Sequence, residues 1–146
     1  MNTKNNLNFW WRWLVAADIG VMLFGLTLVL FPSLARQAFS LMVFSDPSAI
    51  DAFPSEAANY ITLSHGVMGS VMFGWGIAMM FTLFSQFREG VRTGWLNLAV
   101  SVGLWYLPDT YLSLQTGFWQ NAILNTVFVI LFAIPLAATY RMFQTR

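Results

Sequence analysis

At 146 residues, 58% hydrophobic and only 9% charged, the chain is far more apolar than a soluble domain, which runs to about 45–50% apolar and about 25% charged residues. A net charge of +1 argues against nucleic acid as a partner, and the absence of cysteine excludes disulfides, thiolate metal sites and thiol redox chemistry. The fold class expected is all-α: an integral membrane four-helix bundle in one domain, with a short interfacial helix after the first span. Four spans and short connections use nearly the whole sequence, so no soluble catalytic domain is expected.

The first predicted span is Trp13–Phe31, about 28 Å of helix and enough to cross a hydrocarbon core of about 30 Å with its flanks. Its length and the interruption at Asp18 argue for a retained helix rather than a cleaved signal peptide. Pro32 ends it. Over Ser33–Phe44, Leu34, Ala38, Leu41 and Met42 share one face while Arg36 and Ser40 take another, the pattern of a helix lying in the interface.

Ser45–Glu56, with Asp46, Pro47, Asp51, Pro54 and Glu56, reads as an exposed loop. The second span falls within Ala57–Phe84, and Ser85–Gly94 is a polar connection. The third span, Trp95–Leu114, is expected to kink near Pro108 and Asp109. After a turn at Gln115–Gly117 the fourth runs from Phe118 to about Tyr140, with Pro135 inside it.

With four crossings, Lys4, Arg12, Arg88, Arg92, Arg141 and Arg146 fall on one side and Arg36 alone on the other, which predicts cytoplasmic N- and C-termini in a cell membrane. Trp10, Trp11, Trp13 and Trp95 would mark the inner interface, and Tyr60, Tyr111 and Trp119 the outer one.

Gly66, Ser70, Gly74 and Ala78 recur every four residues and predict a helix-packing seam, preferably within the same bundle and otherwise against a second subunit. Met68, Met72 and Met79 share a helix with His65, but methionine is a common gap-filler and one histidine makes a poor metal site, so no metal and no cofactor is expected. Asp18, about 8 Å past Trp13, is an intramembrane acid. It reads as a hydrogen-bonded or snorkelling carboxylate with Asn97, Arg88 or Arg92 as partners, and alternatively as part of a proton or ion relay.

A polar layer is expected in the outer half of the membrane. His65 falls about 8 Å inward of Tyr60, Asn125 about 9 Å inward of Trp119, and Asp109 about 9 Å short of the far side of the core. Asn121 shares the face of Asn125, and Trp105 and Tyr111 would wall a pocket. Such a layer would serve ligand binding or proton handling, or form a hydrogen-bonded network that fixes helix packing.

The layout, with the small-residue run Gly66, Gly69, Ser70 and Gly74, resembles that of the small bacterial DoxX-like membrane proteins. The resemblance implies a four-helix inner-membrane protein and, for some members, a membrane subunit of a quinone-linked oxidoreductase. The leading expectation from the residues is non-enzymatic: binding of a small or lipid-like molecule, or of a partner membrane protein or second copy, through an outward-facing polar pocket. A proton-coupled transporter or channel comes second, and the oxidoreductase subunit third.

Overall fold

The computed structural model describes residues 3–144; Arg146 of the charge pattern lies outside them, as does the side chain of Lys4. Helix α1 (Thr3–Leu30) is followed by α2 (Pro32–Phe44), a 3-10 turn (Ala49–Ala52), α3 (Ser55–Thr82), a π-helical turn (Leu83–Phe87), α4 (Arg92–Gln115) and α5 (Trp119–Gln144). The described residues are thus helical almost throughout. Three stretches, Asn5–Leu30, Ser55–Phe87 and Trp119–Gln144, are long and apolar enough to cross a membrane, with mean hydropathy of 2.1, 1.7 and 2.2. In the most apolar 18 residues of each, between 28% and 33% are buried, so most of that apolar surface faces outward, as lipid-facing helices require. α4 has the length, but Asn97, Ser101, Asp109 and Ser113 lower its hydropathy below the other three.

Two boundaries differ from the sequence expectation. α1 begins ten residues before Trp13, because nothing between Thr3 and Arg12 breaks a helix and the polar residues there simply continue it. The third helix continues beyond Phe84 into the π-helical turn, where a polar connection was expected. Pro32 does end α1, and as the first residue of α2 it loses no hydrogen bond. α4 runs on through Pro108 to Gln115.

The chain forms two compact units: Met1–Ile19 with Ile77–Arg146, and Gly20–Gly76. In the first, α4 lies along α5, and Leu14, Leu83, Phe87, Leu98, Val102, Phe132, Leu136 and Phe143 are buried. The start of α1 is tied into this unit by tryptophans. Pro135 has no N–H, which leaves the Leu131 carbonyl of α5 without its helical donor. Trp13 Nε1 donates to that carbonyl at 2.9 Å. The π-helical turn passes the Leu83 carbonyl to the N–H of Arg88 at 3.1 Å, and Trp11 Nε1 donates to the same oxygen at 3.0 Å. The Arg88 guanidinium lies 4.8 Å from the Trp11 ring centre, a cation–π contact. Trp95 Nε1 donates to Leu136 O at 2.9 Å. Three of the four expected inner-interface tryptophans therefore spend their N–H groups on helix carbonyls.

In the second unit the close approach is between Gly25 of α1 and Gly69 of α3. A Cβ built on Gly69 would run into the Gly25 carbonyl oxygen and lie 2.8 Å from Leu28 Cβ, closer than real Cβ atoms approach. Within this unit the close approach does not fall on the repeat of Gly66, Ser70, Gly74 and Ala78. A Cβ on Gly66 or Gly74 meets nothing within 4 Å, and Ser70 and Ala78 are exposed. The four-residue repeat marks an open face, and the contact turns on Gly69 beside it. The loop after α2 is closed by Asp46, whose Oδ1 accepts the Ser48 hydroxyl at 2.7 Å and the Ser48 N–H at 2.8 Å. These bonds hold the Asp46 carboxyl below its ordinary range.

The Gly25–Gly69 contact makes Gly69→Ala destabilising by about 1–3 kcal/mol through overpacking, while Gly74→Ala should leave thermal unfolding in detergent nearly unchanged. Equal losses at both positions would contradict the assignment of the contact. For the tryptophan tie, Trp13→Phe orphans the Leu131 carbonyl and is expected to cost about 1–3 kcal/mol. In a Pro135→Ala background the restored helical N–H takes over, so a double-mutant cycle should show coupling of about 1 kcal/mol or more. Additive losses would show that Trp13 acts through packing alone.

Candidate functional site

The α4–α5 hairpin builds the polar site. A tight turn, with Gly117 at φ 84°, is held by Thr116 N–H to Leu112 O at 2.9 Å and Phe118 N–H to Ser113 O at 2.8 Å. It sends α5 back along α4, so that residues one turn apart on α4 meet residues near the start of α5. Asn121 Nδ2 donates to Asp109 Oδ1 at 3.0 Å and to Ser113 Oγ at 2.8 Å. Ser113, buried, donates to the Asp109 carbonyl at 2.7 Å and lies 3.3 Å from Asp109 Oδ1. Asp109 and Asn121 are thus brought together, and Ser113 joins them.

Asn125 is one turn further along α5 and 4% exposed, and its Nδ2 donates to nothing among the described residues. Beside it, Thr126 Oγ1 reaches the Ala122 carbonyl at 2.7 Å and the Tyr106 hydroxyl at 3.2 Å, which joins α4 and α5 a second time. Trp105 is half-buried, while Tyr111 is 66% exposed. The sequence reading missed Ser113, Tyr106 and Thr126. Ser113 had a visible signal, four residues after Asp109 and so on its face.

Asp18 is fully buried and both carboxylate oxygens lack a donor among the described residues. The expected partners are engaged elsewhere or exposed: Asn97 Nδ2 donates to Thr82 Oγ1 at 3.0 Å, Arg88 lies over Trp11, and Arg92 is exposed. Among the described residues the structure thus pairs Asp18 with none of the three. Leu14 and Val21, which share the face of α1 that carries Asp18, are buried as well.

His65 belongs to the Gly20–Gly76 unit, where its ring stacks on Phe39 of α2, with centroids 4.5 Å apart and planes at 25°. Its Nδ1 is buried without a hydrogen-bond partner among the described residues.

No family model matches the sequence, and comparisons with curated proteins and solved structures return no match.

The hydrogen bonds separate two kinds of asparagine. Asn121→Ala removes two of them and leaves Asp109 Oδ1 with only the longer Ser113 contact, so a loss of about 1–3 kcal/mol is expected. Asn125→Leu replaces an amide that nothing accepts by an apolar group of similar volume and should be neutral or stabilising. Thermal unfolding in detergent compares the two; the reverse order would contradict the assignment.

Proposed function

We propose that the chain is a non-enzymatic integral membrane protein that crosses the bilayer four times with both termini cytoplasmic, and that it binds a small or lipid-like molecule beside Asn125. The observation that carries this reading is the buried, undonated Nδ2 of Asn125, one turn from the completed Asp109–Ser113–Asn121 cluster. A network that served only to fix helix packing would satisfy its innermost member, since a buried amide without an acceptor costs free energy in a low-dielectric interior. A molecule with an apolar body and a carbonyl, hydroxyl or ester oxygen supplies the missing acceptor. The lipid bilayer is the source of such molecules.

The four-crossing topology is supported by the antiparallel α4–α5 hairpin and by the sequence asymmetry of basic residues. A second reading, proton-coupled transport, has one specific observation in its favour: a carboxylate buried without a partner in a membrane-crossing helix, Asp18. Along α4 and α5, however, the buried apolar residues Leu98, Val102 and Phe132 stand between the end that bears Trp95 and the Asp109–Asn125 end. Such an order favours binding over passage.

The test is extraction and mass spectrometry of what copurifies with the protein. Wild type is expected to retain a stoichiometric small or lipid-like molecule, and Asn125→Leu to lose it without loss of fold. Retention unchanged by the substitution would remove the site, and a retained quinone or chromophore would move the protein to the redox subunits implied by its DoxX-like layout. Reporter fusions within Asp46–Glu56 should read external, and those within Arg88–Arg92 cytoplasmic; the opposite pattern would overturn the orientation.

A further inference from the structure

The Gly20–Gly76 unit contains a second cluster, separate from Asn125. Arg36 is the only Lys or Arg between Gly20 and Gly76, and it lies on α2 one turn before Phe39, on the same face. Phe39 stacks on His65 of α3 and so fixes the plane of the imidazole. The three-residue offset from Phe39 places Arg36 on the side of α2 that meets His65. Arg36 Nε and His65 Nδ1 are both buried, and neither has a hydrogen-bond partner among the described residues. Among the described residues neither side chain makes an ion pair or a hydrogen bond. The acids of the same unit do not supply the missing partner: Asp46 is bound by Ser48, and Asp51 and Glu56 are exposed.

A guanidinium half removed from water, with no counter-ion, is costly unless an anion completes it. The planar fork of arginine matches the paired oxygens of a phosphate, and imidazole adds an N–H donor in either of its neutral forms. α2 follows directly on the apolar run of α1, at the level where a crossing helix leaves the hydrocarbon. We infer that Arg36 and His65 together hold a phosphate group, carried either by an anionic phospholipid or by a soluble phosphate compound, with Phe39 setting the imidazole.

Purified wild type is placed in phosphatidylcholine nanodiscs with and without phosphatidylglycerol, and in phosphatidylcholine alone with added inorganic phosphate; bound lipid is counted by native mass spectrometry and phosphate binding by the shift in thermal unfolding. Selective retention of phosphatidylglycerol assigns the lipid source, and a shift with inorganic phosphate in the neutral lipid assigns the soluble one. Arg36→Gln and His65→Gln are each expected to weaken the binding found, Arg36→Gln by about tenfold. Arg92→Gln, outside the cluster, should leave it unchanged. Wild type that neither prefers phosphatidylglycerol nor responds to phosphate overturns the site, however the variants fold. An equal loss in Arg92→Gln, or none in Arg36→Gln or His65→Gln, overturns it as well.

Discussion

A helix that crosses hydrocarbon cannot leave a backbone carbonyl without a donor, and this requirement ties the start of α1 into its unit. Pro135 frees one carbonyl on α5, and the π-helical turn after α3 redirects another. Trp13 and Trp11 donate to these two oxygens from positions two residues apart on α1. Each indole brings a large apolar surface along with its N–H, so the same side chain satisfies the backbone and fills the space beside it. Gly94 serves the π-helical turn in another way, since a Cβ there would lie 2.8 Å from the Phe87 nitrogen and 2.6 Å from Gln86 Cβ. At Pro135 and at the π-helical turn, side chains of the same unit thus compensate for the irregular backbone.

The polar side chains follow the same rule, and the exceptions carry the functional content. Most helix hydroxyls are satisfied within their own helices: Thr62, Ser64, Ser70, Thr82, Ser85, Thr126 and Thr139 each donate to the carbonyl four residues earlier, while Thr110 Oγ1 is buried without a partner among the described residues. Such bonds need no partner helix and carry no specificity. An amide or a carboxylate lacks this local solution, so its partner must come from elsewhere. Asn97 finds Thr82 and Asn121 finds Asp109, but Asn125 and Asp18 find no partner among the described residues. Arg36 and His65 form a comparable unfinished pair in the Gly20–Gly76 unit.

Much of this organisation is legible in the sequence because apolar run length and proline position are one-dimensional signals. Pro32 marks the α1–α2 break, and the four-residue offset of Asn121 and Asn125 gives their common face of α5. The pairing of Asn121 with Asp109 follows once a short turn makes α4 and α5 antiparallel neighbours. What the sequence leaves open depends on rotation about the helix axis, which periodicity does not set in a helix apolar on all sides. The repeat of Gly66, Ser70, Gly74 and Ala78 named a face of α3, yet the close contact turns on Gly69, about 120° around the helix from the middle of that face. Asp18 was expected to reach a base or an amide, but those groups found nearer partners or solvent. The tryptophans were read as interface markers because a carbonyl freed by a proline four residues later becomes visible only when the donor's helix is seen beside it.

The central claim is that the amide of Asn125 is held without a protein acceptor so that a bound molecule can supply one. The most direct test is a crystal structure of the protein grown from a lipid mesophase, read at Asn125 Nδ2. The account predicts non-protein density with an oxygen at about 2.7–3.2 Å from that nitrogen, continuing as an apolar body between α4 and α5 or into the adjoining lipid. A protein carbonyl or side chain accepting from Asn125 Nδ2, with no such density beside it, would contradict it.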